Sequence, residues 1–220
     1  MGLMTILPSV HPIDANSGAV AGTYISLKAH QRCTVVVSLG VLGAGTVTIQ
    51  LLQATNVAAA GAKALNFTHV WRLGGKIAHG AVTGAYVLGE LVTGAPSGAT
   101  GLIHEIHNGY LVLHTITGVF AIGDTLTGAG GATSVATTAI TEYGLNCRVA
   151  LAAAANTVAL AIADETYEIE IEGSDLDINN GFDCMVAQVS AAGGNNLVGI
   201  NYLLSKLRYK EEPQKSAYYD

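Results

Sequence analysis

Short runs of Val, Ile, Leu and Thr alternate with Gly-rich segments along most of the chain, and no stretch carries a long amphipathic helical period. This is the pattern of half-buried strands joined by turns. It predicts strands at Thr34–Leu39, Thr46–Ala54, Ala64–Arg72, Cys147–Ala152, Thr157–Ala163, Thr166–Glu172, Cys184–Ser190 and Val198–Leu204. The clearest is Tyr167-Glu168-Ile169-Glu170-Ile171-Glu172, a strict apolar/acidic alternation. It puts Tyr167, Ile169 and Ile171 on a buried face and three carboxylates on the opposite, solvated face, where like charges discourage pairing with a wrong neighbour. Asn56–Ala64 reads as one short helical turn or, with Gly61 inside it, as a loop.

The middle of the chain differs from its flanks. From Lys76 to Arg148 there is no Lys or Arg between the two, and Gly and Thr are frequent. Inside this stretch Thr83–Ala95 repeats as Thr117–Ala129, with six of thirteen positions identical and Tyr86/Phe120, Leu88/Ile122 and Glu90/Asp124 conservative. A similar tail follows each copy, Gly98-Ala99-Thr100 and Gly131-Ala132-Thr133. A repeated strand–turn–strand unit reads as two related hairpins that pack together, and two copies are too few for a solenoid. The expected fold is therefore all-β: a β-sandwich body from residues 1–80 and 142–220, interrupted by a small repeat-containing β-barrel or β-roll at 81–141.

Composition narrows the function. Only 12% of residues are charged, against about 25% in typical soluble domains, and half are hydrophobic, with 27 glycines. So few charges leave an outer surface that expects a partner. The net charge of −6 and the lack of any basic cluster beyond Lys206, Arg208 and Lys210 argue against nucleic acid. Three cysteines (Cys33, Cys147 and Cys184) without paired spacing fit buried free thiols in a reducing compartment. The start MGLMTILPSV has no basic residue before its apolar part, Ile6 stands where a myristoylation motif wants Ser or Thr, and Val149–Ala163 is too short to span a bilayer. A soluble chain with no membrane partner is expected.

Several motifs approach known chemistry without completing it. Asp175–Asp183 resembles a calcium loop, but an EF-hand needs Gly sixth and Glu twelfth, where this chain has Asn180 and Val186. A turn joining two strands is the expected reading. His104-Glu105-Ile106-His107 is one residue short of the zinc-protease spacing, Asn108 standing where the second His belongs. His114 could join His104 or His107 on paired strands; rim histidines on a polar strand face are expected instead. Gly40–Gly45 leads into a strand rather than a helix, so it predicts a hairpin turn and not a phosphate loop. No serine sits in a Gly-x-Ser-x-Gly setting. No catalytic, cofactor-binding or metal site is predicted, no cofactor is expected, and an enzyme is the least expected class.

Two segments carry a resemblance. Thr46–Trp71 (TVTIQLLQATNVAAAGAKALNFTHVW), with Tyr167–Asp183 and Asn201–Tyr209 (NYLLSKLRY), resembles a group of small virion structural proteins of tailed bacteriophages. Gly89–Thr137 resembles a small β module inserted or appended in many phage structural proteins. The resemblance implies a virion location, assembly in the host cytoplasm, and capsid decoration or stabilisation by a dimer or trimer bound to the major capsid protein or other virion proteins, the insertion projecting outward. A neck or tail component and a carbohydrate-binding module on the virion surface are the alternatives. The ends fit such a role as arms reaching a neighbour: Met1–Val20, with Pro8 and Pro12, and Lys210–Asp220, with Tyr218 and Tyr219 as docking side chains.

Overall fold

A computed structural model of the chain describes residues 4–15, 19–43, 47–160, 163–191 and 195–207. Among them there is no α-helix, and the all-β expectation holds. The larger of two antiparallel sheets runs β1 (Thr5–Asp14), β17 (Asn196–Leu207), β4 (His30–Leu42), β15 (Thr166–Glu172), β7 (Phe67–Ala78). It continues through β10 (Tyr110–Thr117), β9 (Thr100–His107), β8 (Leu91–Ala95), β11 (Thr125–Gly128) and β12 (Thr133–Val135), and β13 (Thr141–Ala155) also pairs with β7. The smaller sheet runs β14 (Thr157–Leu160), β5 (Val47–Ala54), β16 (Cys184–Ala191), β2 (Val20–Ala21), with β3 (Ile25–Ser26) beside β16 and β6 (Lys63–Ala64) beside β5.

Alternation decides which faces meet. Tyr167, Ile169 and Ile171 of β15 are fully buried, as their spacing predicts, and join Val35 and Val37 of β4 and Ile200 and Tyr202 of β17. Opposite them stand Val47, Ile49 and Leu51 of β5 and Met185, Ala187 and Val189 of β16. The two sheets thus close over one core, each large side chain in it contributing roughly 2–3 kcal/mol. The Ala187 amide donates to Tyr202 Oη at 2.8 Å, tying one sheet to the other.

Residues 5–14 depart from the expected arm: they form β1, paired with β17 from Thr5↔Leu204 to Asp14↔Leu197. Pro8 and Pro12 hid this strand, yet the outermost strand of a sheet needs no N–H on its open side, and bulges beside Pro8 and before Ile13 absorb the misfit. The C-terminal arm, Lys210–Asp220, lies outside the described residues. Of Asn56–Ala64, residues 56–62 form a loop and Lys63–Ala64 the short strand β6: Asn56 Oδ1 accepts from the Ala58 and Ala60 amides at 2.9 and 3.2 Å, and Ala59 sits at φ 65°.

The repeat segment has a second core: Ile77, Tyr86, Val92, Ile103, Leu111, Leu113, Phe120 and Leu126. Its contacts recur at the repeat offset. Val87 N donates to Glu90 Oε1 at 2.8 Å and Ala121 N to Asp124 Oδ2 at 2.9 Å; Gly94 N donates to Ala99 O and Gly128 N to Ala132 O, both at 2.8 Å. Thr93 pairs with its own repeat mate Thr127, and Ile77 with Leu111, which stands to it as Thr117 does to Thr83. A pseudo-two-fold axis therefore passes through both pairs. The carboxylates cross it: Glu90 Oε2 accepts from the Gly130 amide at 2.8 Å, and Asp124 Oδ1 from the Ser97 amide at 3.2 Å. The ladders place these strands in the large sheet rather than in a sheet of their own. These strands extend the large sheet through β7, which gives Val70 to the body core and Ile77 to the second one. Beyond β12 the chain pairs back with the end of β7 and the segment after it, through the bridges His79↔Ala136 and Thr83↔Thr133 and the Thr137 amide donating to Ala78 O at 2.8 Å.

Candidate functional site

Large apolar side chains break the surface at the β1 edge of the long sheet and in the repeat segment. At the β1 end are Met4, Ile6 (59% exposed), Ile13, Val41 and Leu197; in the repeat segment are Val87, Leu88 (64%), Leu91, Ile106, Val119 (78%), Ile122 (71%) and Val135. Leu88 and Ile122 are repeat mates, each just before a glycine at positive φ, Gly89 and Gly123, so the turn geometry that builds the repeat also pushes an apolar side chain outward. Leu88 borders a shallow depression of about 350 Å³ with His104, Glu105, Ile106 and His107.

Between those two places in strand order the outer face of the sheet is polar. The three carboxylates of β15 sit opposite β4 and β7, with Glu172 facing Arg32 and Glu168 facing Trp71 in register. Arg32 Nε donates to Glu172 Oε1 at 2.7 Å and Nη1 to Glu170 Oε1 at 3.3 Å, while Trp71 Nε1 donates to Glu170 Oε2 at 3.2 Å. Lys206 Nζ reaches Glu172 at 3.4 Å. Although burial opposes it, these cations hold the Glu172 carboxyl below its ordinary range. A groove of about 320 Å³ opens here, lined by Trp71 and Phe67, by Arg32 and Arg148, and by Asn66, Thr68, His69, Glu170, Glu172 and Asp175. The alternation rule predicted a solvated acidic face; strand order instead supplied it with an indole and two guanidinium groups.

A second polar group lies where body and repeat segment join. Arg72 Nη2 contacts Glu165 Oε2 at 3.1 Å and donates to Tyr167 Oη at 3.0 Å, and Tyr167 Oη donates to Glu165. Burial, then the contact with Glu165, pushes the Tyr167 hydroxyl upward. His114 packs edge-on to His104 at 5.9 Å, and its pKa is lowered to about 4 by burial, then by Arg72 and His104. The sequence pointed to none of Arg72, Glu165 and Tyr167 as a cluster, because β7 and β15 are distant along the chain.

The other motifs lie on strands and in turns. His104 and His107 lie on β9 and His114 on β10; His107 stacks on Tyr110 at 4.3 Å and contacts Glu105 at 2.7 Å. Asp175–Asp183 forms two 3-10 turns, Gly173–Asp175 and Ile178–Asn180, before Gly181 at φ 82°. Asp177 pairs with Lys63, accepts from Asn180 Nδ2 at 2.9 Å, and is held below its ordinary pKa by those two contacts. Among the described residues no three His, Cys, Asp or Glu side chains are grouped to hold a metal ion. Gly40, Val41 and Leu42 of the expected Gly40–Gly45 turn lie within β4, and Ala44 and Gly45 fall outside the described residues. Cys33, Cys147 and Cys184 are buried thiols, pushed up to about 12, 11 and 11 chiefly by burial. No described helix is long and apolar enough to cross a membrane.

Comparison with protein-family models, with curated proteins and with solved structures returns no match for this chain.

Proposed function

We propose that the protein is a non-enzymatic structural component of a tailed-phage particle, a capsid decoration or stabilising protein that bridges neighbouring subunits. The observation that carries this reading is the exposure of large apolar side chains in two separate places, Ile6 and Ile13 on the outermost strand β1 and Leu88, Val119 and Ile122 in the repeat segment. Isolated exposed apolar residues are ordinary, but grouped ones mark contact surfaces. A sheet with apolar side chains in two such places can hold two neighbours at once. The resemblance of Thr46–Trp71 and Gly89–Thr137 to phage virion proteins supplies the setting. Partners are copies of the chain and the major capsid protein, and the location is the virion.

The test is to locate the chain in a reconstruction of the particle and count it. Copies spread over the shell, on the order of hundreds, support decoration; about six to twelve in one ring assign it to neck or tail, following closed rotational symmetry. Absence from purified particles overturns the proposal.

A further inference from the structure

We propose that the Trp71 groove is a binding site for a neutral oligosaccharide. This does not rest on the assembly reading, and it places the site on the body rather than on the repeat segment.

The groove has the construction of a ligand site rather than of a bare sheet face. Its volume, about 320 Å³, falls at the small end of the range for small-molecule pockets. Its indole is the only tryptophan in the chain. The ring is fixed: Nε1 is committed to Glu170, Glu170 to Arg32, Arg32 to Glu172, and the Glu172 amide donates to Asp175 Oδ2 at 2.8 Å. Arg148 of β13 and Glu168 of β15 are the register partners of Trp71 on its two sides. Side chains held this way lose little freedom when a ligand arrives, which is what makes a weak polar ligand bindable.

The lining selects the ligand. A phosphate or sulfate would face Glu170, Glu172 and Asp175, and a polycation would face Arg32 and Arg148. A wholly apolar ligand would bury the Arg32–Glu170–Glu172 lattice without replacing its water. A sugar ring suits all of it: its C–H face stacks on the indole, and its hydroxyls both donate to the carboxylates and accept from the guanidinium groups, Asn66 and Thr68.

Trp71 is its own reporter. Intact protein is titrated with neutral hexose and N-acetylhexosamine oligosaccharides while indole emission is followed, with heparin fragments as a parallel arm. The expected result is saturable quenching by at least one neutral glycan, weakened about tenfold or more in Trp71→Ala as read by array binding, and weakened less in Arg148→Ala. Trp71→Phe, which keeps an aromatic platform, restores part of the binding and guards against a folding defect. No saturable binding to any neutral glycan, binding indifferent to Trp71→Ala, or a preference for heparin each overturns the proposal. Shell binding by Trp71→Ala stays intact either way, so failure here and failure of the assembly role are separable.

Discussion

His114 is only 7% exposed, on β10 with Arg72 of β7 and His104 of β9 around it, and its imidazole is neutral down to about pH 4. In the unfolded chain it takes up a proton near pH 6.5. Between those values the unfolded state binds more protons, so stability falls as pH drops from 6.5 towards 4 and is unaffected above 6.5. The loss reaches roughly 2–3 kcal/mol at the lower end. Urea midpoints between pH 7.5 and 4.5 should therefore fall more steeply for the native chain than for His114→Gln. Equal slopes would mean that burial of His114 contributes nothing to the acid response.

At the scale of elements, the pseudo-two-fold in the repeat segment makes a quantitative claim. Gly84, at φ +83°, and Gly118, at φ +78°, are repeat mates, and a Cβ on either would come within 3.2 Å of a backbone Cα, of Ala132 and of Ala99 respectively. Each Ala99 or Ala132 belongs to the opposite repeat, so one exchanged contact occurs twice. Gly84→Ala and Gly118→Ala should each cost about 1–3 kcal/mol, from positive-φ strain and the close approach, and should differ by less than about 1 kcal/mol. Gly109→Ala, at φ +92° with nothing within 4 Å, keeps only the strain and should cost less. Hydrogen exchange over residues 79–137 is the readout. The repeat was legible in the sequence, and so was β15, because Tyr167–Glu172 alternates without interruption. The crossing of Glu90 and Asp124 between repeats was not, since it depends on which hairpin sits beside which. β1 was hidden by its prolines, whose tolerance follows from an edge position that only strand order reveals. The Trp71 groove was hidden for the same reason: its lining comes from positions 32 to 175, and ladders between distant strands bring it together.

Over the whole molecule, the large sheet carries exposed apolar side chains at β1 and in the repeat segment, with the polar face of β15 between them in strand order. Under the proposed assembly role, those two places hold the neighbours and the groove is left to a soluble ligand. Low charge makes the two places adhesive without making them specific, so specificity has to come from shape and from spacing along the sheet. If both places hold a neighbour, weakening either should lower overall affinity by more than its own contacts account for, because the second contact is then no longer intramolecular. The direct measurement is co-sedimentation of the purified chain with shells assembled without it, for the native protein, for Ile6→Lys with Ile13→Lys, and for Leu88→Lys with Ile122→Lys. The account predicts saturable binding by the native chain, at a fixed ratio to shell subunits, and weaker binding by each double variant while both remain folded. Failure of the native chain to bind shells, or undiminished binding by both variants, would contradict it.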